Sequence, residues 1–292
     1  MIGTSEFLSQ LFSGLTYGMV LMMVSLGLTL IFGVMGLINF AHGELYAIGA
    51  YAGFVTIQIT GSFWAALVVA PIAVGVVGIV IERYLLSYLY DSDPIFILLL
   101  TFGLALVLQE LIRIIWGSGL QPLSAPSMFD GFIDLGGVFM PRYWLFVIGF
   151  TLAVTGSVIL VLNKTKYGMY VRAASRDSEM VSLLGIDNAK VYTGIFAAGA
   201  ALAGLSGVMI APLRGVRPTM GTEIIIASFV VIVIGGLGSI RGAILGSILI
   251  GVLTSFTTIW FPELSEVAMF VAMVIVLLSL PEGLMGEKGR VE

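Results

Sequence analysis

Long apolar runs and short polar breaks alternate along the whole chain. The runs cover 11–33, 43–60, 64–86, 94–115, 143–162, 190–211, 222–238, 243–260 and 266–281. A bilayer core of about 30 Å needs roughly 20 apolar residues in helical form, so each run is read as a membrane span. This predicts an all-α polytopic membrane protein of about eight or nine spans. The run at 222–238 is short and could instead be re-entrant. A β-barrel would show alternating segments of about ten residues, whereas these runs are continuous and longer.

The breaks set orientation, because Lys and Arg collect on the cytoplasmic side. The break 163–190 holds Lys164, Lys166, Arg172, Arg176 and Lys190 and is assigned to the cytoplasm. Nine spans then place the N-terminus outside and the C-terminus inside. Arg83, Arg241, Lys288 and Arg290 also fall inside, while Arg113, Arg142, Arg214 and Arg217 fall at or beyond the outer ends. The outer connection 116–142 is rich in turn-forming Pro and Gly and too short for a domain. The chain, 1–292, is therefore read as one transmembrane domain, with 163–190 as its only sizeable cytoplasmic segment.

Composition agrees with a lipid solvent. Of 292 residues, 59% are hydrophobic and 10% charged, with a mean hydropathy of +1.11. Soluble domains carry roughly 25% charged residues, so this chain has too little polar surface to coat a globule. The net charge of −4 gives no basic patch for nucleic acid. Without cysteine there are no disulfides, cysteine metal sites or cysteine nucleophiles. The start, "MIGTSEFLSQ", lacks the positive region of a cleavable signal peptide, so the first run is taken as a permanent span.

Lipid supplies little hydrophobic drive between helices, and small residues that let backbones approach take its place. Gly238, Gly242 and Gly246 recur at spacing four, as do Gly14 with Gly18 and Gly49 with Gly53, and "AAGAALAGLSG" (197–207) is almost wholly small. These are expected to pack helices within the chain, with dimerisation through one stripe as the alternative. The stretches 31–51 and 233–251 echo one another, each passing from an apolar helix through a glycine-rich turn into a glycine-spaced helix. This fits a structural repeat and pseudo-repeated halves.

Charged residues in a span usually face a cavity, a partner or the interface. Glu110 and Arg113 are spaced to pair on one helix face. Glu82 and Arg83 lie at an inner end and are expected to snorkel. Glu223 opens a span, where the helix dipole favours a carboxylate. The stretch "MGLINFAHGELYAIGAY" (35–51) differs, because it gathers Asn39, the sole histidine His42, and Glu44. One reading is a polar turn at the cytoplasmic interface, with Asn39 capping a helix. The other, adopted here, is a turn or broken helix lining a translocation path or its inner gate. One histidine and no cysteine do not make a zinc site, and no G-x-S-x-G elbow supports a hydrolase.

In the cytoplasmic break, "VRAASRDSEMVSLLGI" has helical apolar spacing, with Gly185 as a C-terminal stop. One short amphipathic helix there would lie on the membrane or dock into a partner's groove.

Three ordered blocks resemble the high-affinity branched-chain amino-acid permeases, the membrane subunits of bacterial ATP-binding-cassette (ABC) importers. They are "GLTYGMVLMMVSLGLTLIFGVMGLINFAHGELYAIGAY" (14–51), "YGMYVRAASRDSEMVSLLGIDNAKV" (167–191) and "VIGGLGSIRGAILGSILIGVL" (233–253). The first block resembles the shorter of the two permeases in such systems. The resemblance implies a bacterial or archaeal inner-membrane importer with a sister permease, two ATP-binding subunits and an extracytoplasmic substrate-binding protein. The chain has no G-x-x-x-x-G-K-[ST] loop. No cofactor is therefore expected in it, and ATP–Mg is expected on the partner ATPases. The resemblance also makes 163–190 a segment coupling to the ATPases, with Arg172, Arg176, Asp177, Gly185 and Ile186 as its expected contact positions. Two alternatives stand beside amino-acid import. One is a permease of the same family for urea, short amides or other small polar solutes. The other is a standalone channel or secondary transporter.

Overall fold

The computed structural model describes residues 4–90, 92–134 and 138–286. Lys288 and Arg290, assigned above to the inner side, lie outside the described residues. The helices are α1 (Thr4–Met35), α2 (His42–Thr60), α3 (Phe63–Ile81), α4 (Pro94–Trp116), α5 (Arg142–Lys164), α6 (Lys166–Ala174), α7 (Ser178–Leu183), α8 (Asn188–Arg214), α9 (Met220–Gly235), α10 (Ile240–Trp260) and α11 (Ser265–Ser279). All nine apolar runs are helical. Seven of these helices are long and apolar enough to cross a membrane. Of the other two, α2 carries His42, Glu44 and Gln58, and α9 has only 16 residues. At 1.5 Å per residue α9 is about 24 Å long, short of a full crossing.

Helix starts follow local capping chemistry. Asp93 accepts from Ile95 N at 2.9 Å with Pro94 in the first turn of α4, Asp187 accepts from Lys190 N at 3.3 Å, and Ser239 accepts from Gly242 N at 3.1 Å. The outer connection holds a small antiparallel hairpin, β1 (Phe132–Asp134) with β2 (Phe139–Pro141), in register Ile133↔Met140. Gln121 exchanges backbone bonds of 2.8 and 2.9 Å with Val216, fastening that connection to the loop after α8.

α1 and α8 form the buried centre, with α2, α3, α9 and α10 around them and α4, α5 and α11 largely on the outside. Small residues hold the centre together. Gly14 and Gly18 of α1 lie against Ser255, Gly251 and Ser247 of α10, and Gly49 of α2 lies against the backbone of Gly204 on α8. Gly242 abuts Gly235, and a Cβ at Gly246 would come within 2.8 Å of the Val231 carbonyl, so both let α9 and α10 touch. Gly238 does not belong to that stripe. It lies in the turn before α10 at φ 79°, a left-handed conformation that glycine supplies without strain.

Two further expectations change. Glu82 does not snorkel. It is 1% exposed and accepts from Tyr90 Oη at 2.5 Å and Thr193 Oγ1 at 2.6 Å, in a π-helical turn, Glu82–Leu86, that continues α3. The repeat echo holds in connectivity alone. α10 folds straight back on α9, whereas α2 leaves α1 to pack on α3, α8 and α9. The Glu110–Arg113 pair forms as expected, with bonds of 2.9 and 2.6 Å.

Candidate translocation site

We call the end carrying α6 and α7 cytoplasmic, following the basic residues. α1 ends there at Gly36, whose φ of 67° is a left-handed helix stop. The chain then turns back into the bundle through 37–41. Pairings along α8 show how far it returns. Ser206 Oγ bonds Val20 O at 2.8 Å, and Gly27 lies against the Gly199 carbonyl, so α1 and α8 run antiparallel. His42 Nε2 lies 3.1 Å from Val24 O, between those two levels and near the middle of α8. From Val24 to Met35, α1 runs on for about 16 Å. The polar stretch therefore sits deep within the bundle and not at the cytoplasmic surface.

Asn39, His42 and Glu44 are 0%, 0% and 2% exposed. Asn39 does not cap α2. The first N–H groups are bonded instead by the backbone, His42 N to Asn39 O at 3.3 Å and Glu44 N to Ala41 O at 3.0 Å. Neither polar atom of the Asn39 side chain has a partner among the described residues. The Val24 carbonyl can only accept, so His42 Nε2 donates. In the neutral ring Nδ1 is then a bare acceptor, and it too lacks a partner among the described residues.

Glu44 Oε1 accepts from Thr222 Oγ1 at 3.3 Å, and Thr222 Oγ1 in turn accepts from Gln109 Nε2 at 3.1 Å. Glu44 lies in the first turn of α2 and against Gly221 in the first turn of α9, so two positive helix ends meet at one carboxylate. Its Oε2 is unpaired among the described residues, as are the buried hydroxyls of Ser25 and Thr29 on α1 and Ser228 on α9. Buried polar groups are normally hydrogen-bonded. These orphaned donors and acceptors are therefore exceptional for an apolar bundle.

Glycines seat this group. A Cβ at residue 27 would come within 3.0 Å of the His42 ring, and one at residue 221 within 2.5 Å of the Glu44 carboxylate. Nothing in the sequence pointed to Gln109 on the run 94–115 or to Thr222 and Ser228 on the run 222–238, since their placement in the bundle is set by packing. Ser25 and Thr29, four apart on one helix face, were the one readable signal.

The segment 163–190 holds two short helices before α8, not one. Asp177 breaks the expected helix by capping α7, accepting from Met180 N at 2.8 Å. α6 is tied to α8 through Tyr167 Oη, which donates to Val191 O at 3.2 Å, and α7 is tied through Asn188 Nδ2, which donates to Ser178 O at 2.6 Å. Arg172, Arg176 and Asp177 are exposed and form no ion pair among the described residues. Gly185, at φ 82°, and half-buried Ile186 make the bend into α8. Leu183 and Leu184 are 77% and 73% exposed at this cytoplasmic tip. Behind it lies an open groove of about 980 Å³, bounded by Arg172, Arg176, Gly238 and Arg241 and reaching Thr29 and Gly33 on α1. No group of three His, Asp or Glu side chains comes together among the described residues.

The family model described as "Branched-chain amino acid transport system / permease component" matches residues 10–279. LivH of Salmonella typhimurium, a high-affinity branched-chain amino acid transport system permease protein, is 31% identical over 96% of both chains. LivM of Escherichia coli, a permease protein with the same description, is 26% identical over 92% of this chain but 68% of its own length. Among solved structures, PsaBC from Streptococcus pneumoniae in complex with Fab shares the fold, with a TM-score of 0.50 over 95% of each chain at 14% identity.

Proposed function

Since this chain belongs to the family of branched-chain amino-acid transport system permease components, we propose that it forms the inward path for branched-chain amino acids in an ABC importer. Its partners in this reading are a sister permease, two ATP-binding subunits and an extracytoplasmic binding protein. ATP–Mg is bound and hydrolysed on the ATP-binding subunits. The observation that carries the reading is the broken α1–α2 connection. It sets Asn39, His42 and Glu44 at mid-depth with unpaired polar atoms. A zwitterion with an aliphatic side chain suits such a conduit, because a few polar groups meet its head while apolar walls meet its side chain. An importer must also release its cargo, and isolated, incompletely arranged partners give weak binding.

α6 and α7 serve as the docking element for an ATPase. Arg172 and Arg176 supply charge there, while Leu183 and Leu184 supply apolar contact. Because α6 also walls the groove that reaches Thr29, displacement of α6 changes the width of the inner path, a two-state shift in helix packing.

The test is ATP hydrolysis by the reconstituted complex, with the binding protein loaded in turn with leucine, isoleucine, valine and urea. Stimulation by a branched-chain amino acid is expected. Stimulation by urea alone would keep the family and overturn the substrate. Failure of any ATPase to associate would overturn the importer reading.

A further inference from the structure

A second polar site lies on the outer side of the triad. Tyr17 of α1, Tyr46 of α2, Arg214 at the end of α8, Arg217 in the following loop and Glu223 of α9 line a cavity of about 40 Å³. It is linked to the triad along the chain at two points. Tyr46 follows Glu44 by two residues on α2, and Glu223 follows Thr222, which bonds Glu44.

The charges here are unequally used. Arg217 Nη2 is paired with Glu223 Oε2 at 2.5 Å, and Thr219 Oγ1 bonds the other oxygen of Glu223 at 3.2 Å. Arg214 forms no ion pair among the described residues. Its guanidinium carbon lies 4.3 Å from the centre of the Tyr17 ring and the group also bonds the Tyr17 side chain, so Tyr17 positions the cation while no carboxylate among the described residues occupies its remaining N–H groups. A cation without a carboxylate partner and a carboxylate thus border one small space whose wall includes the almost fully buried Tyr46.

We infer that this pocket receives the zwitterionic head of an amino acid on its way to the triad, with Arg214 on the carboxylate and Glu223 on the ammonium. The ammonium shares Glu223 with Arg217, or displaces Arg217 from it. Size sets what is recognised. A water molecule needs roughly 10–15 Å³ of such space, so a cavity of about 40 Å³ takes the head and leaves a branched side chain outside, against Met220 and Ile224. The pocket therefore selects for the α-amino acid head and tolerates different aliphatic side chains. The inference rests on the amino-acid reading of the previous subsection and adds its outer subsite.

Matching ligands to variants tests it. Saturation-transfer NMR on the full-length chain in nanodiscs, without any binding protein, would compare leucine, leucinamide and 4-methylpentanoate. Arg214→Gln is expected to weaken the leucine signal about ten-fold, as for loss of a charge-assisted bond, and to leave leucinamide unchanged. Glu223→Gln is expected to weaken leucine and leave 4-methylpentanoate unchanged. No leucine signal in the unmodified chain overturns the pocket, whatever the ATPase assay shows. Equal loss of all three ligands in both variants, or no loss in either, overturns it as well. The expected ligand pattern with no ATPase associating in the reconstituted complex keeps the pocket and rejects the importer.

Discussion

At the scale of single residues, what sets the buried triad apart is that its members are incompletely satisfied. A structural Asn–His–Glu group would close its hydrogen bonds internally, whereas here Asn39, His42 Nδ1 and Glu44 Oε2 stay open among the described residues. His42→Ala and Glu44→Gln are each expected to lower uptake about ten-fold, a barrier change of about 1.4 kcal/mol, with the purified complex intact on gel filtration. Wild-type uptake in both variants would remove them from the path. Gly27→Ala probes the seat of the imidazole. Its Cβ would strike the ring at 3.0 Å and the Gly199 carbonyl at 2.6 Å, so overpacking should destabilise the bundle by about 1–3 kcal/mol. Thermal unfolding in detergent measures it, and an unchanged midpoint would show that the ring relocates freely.

At the scale of single elements, α7 and the α9–α10 contact give the clearest tests. Leucines as exposed as Leu183 and Leu184 on a cytoplasmic tip lose solvent contact when a partner or the membrane surface covers them. Leu183→Asp with Leu184→Asp should abolish co-purification of the ATPase subunits and leave the permease folded by circular dichroism. Retained co-purification would transfer the docking role to the arginines of α6. Beside this tip, the Lys190 ammonium, 3.1 Å from Asp187, holds the Asp187 carboxyl below its ordinary range. A depressed carboxylate stabilises the cap of α8 above its unfolded value and loses that contribution as pH falls through the folded value, so the tip should loosen under acid conditions. Amide exchange at Ala189 and Lys190 below pH 4 would register this. Within the bundle, Gly242→Leu forces apart the α9 and α10 backbones, which meet at Gly235. Loss of expressed, monodisperse protein is the expected result.

At the scale of the whole molecule, one groove spans the distance between α6 and the centre of the bundle. The groove behind α6 opens at the cytoplasmic end and reaches Thr29 on α1, the helix that also receives the bond from His42. The cysteine-free sequence makes this directly measurable. Arg241→Cys should react with a membrane-impermeant maleimide only from the cytoplasmic face, and Arg217→Cys only from the outer face. Labelling from the reversed faces would invert the topology. Protection of Arg241→Cys on ATP binding by the assembled complex would report closure of the inner groove.

Sequence alone determined the solvent, the nine helices and most of their ends. Apolar run length is a one-dimensional quantity, and Asp93, Asp187 and Ser239 cap through contacts two or three residues away. It also marked Asn39, His42 and Glu44 as anomalous, since charge in lipid is costly wherever it falls. Only the tertiary structure decided their depth, because that depends on a turn climbing back beside Val24 and on Gly27, Gly199 and Gly221 leaving room for it. Burial of Glu82 and the meeting of Arg214 with Tyr17 were likewise out of reach of the sequence, because both take partners from distant helices. The break at Asp177 rests on a cap as local as the other three, and there the continuous apolar spacing masked a signal that the sequence does contain.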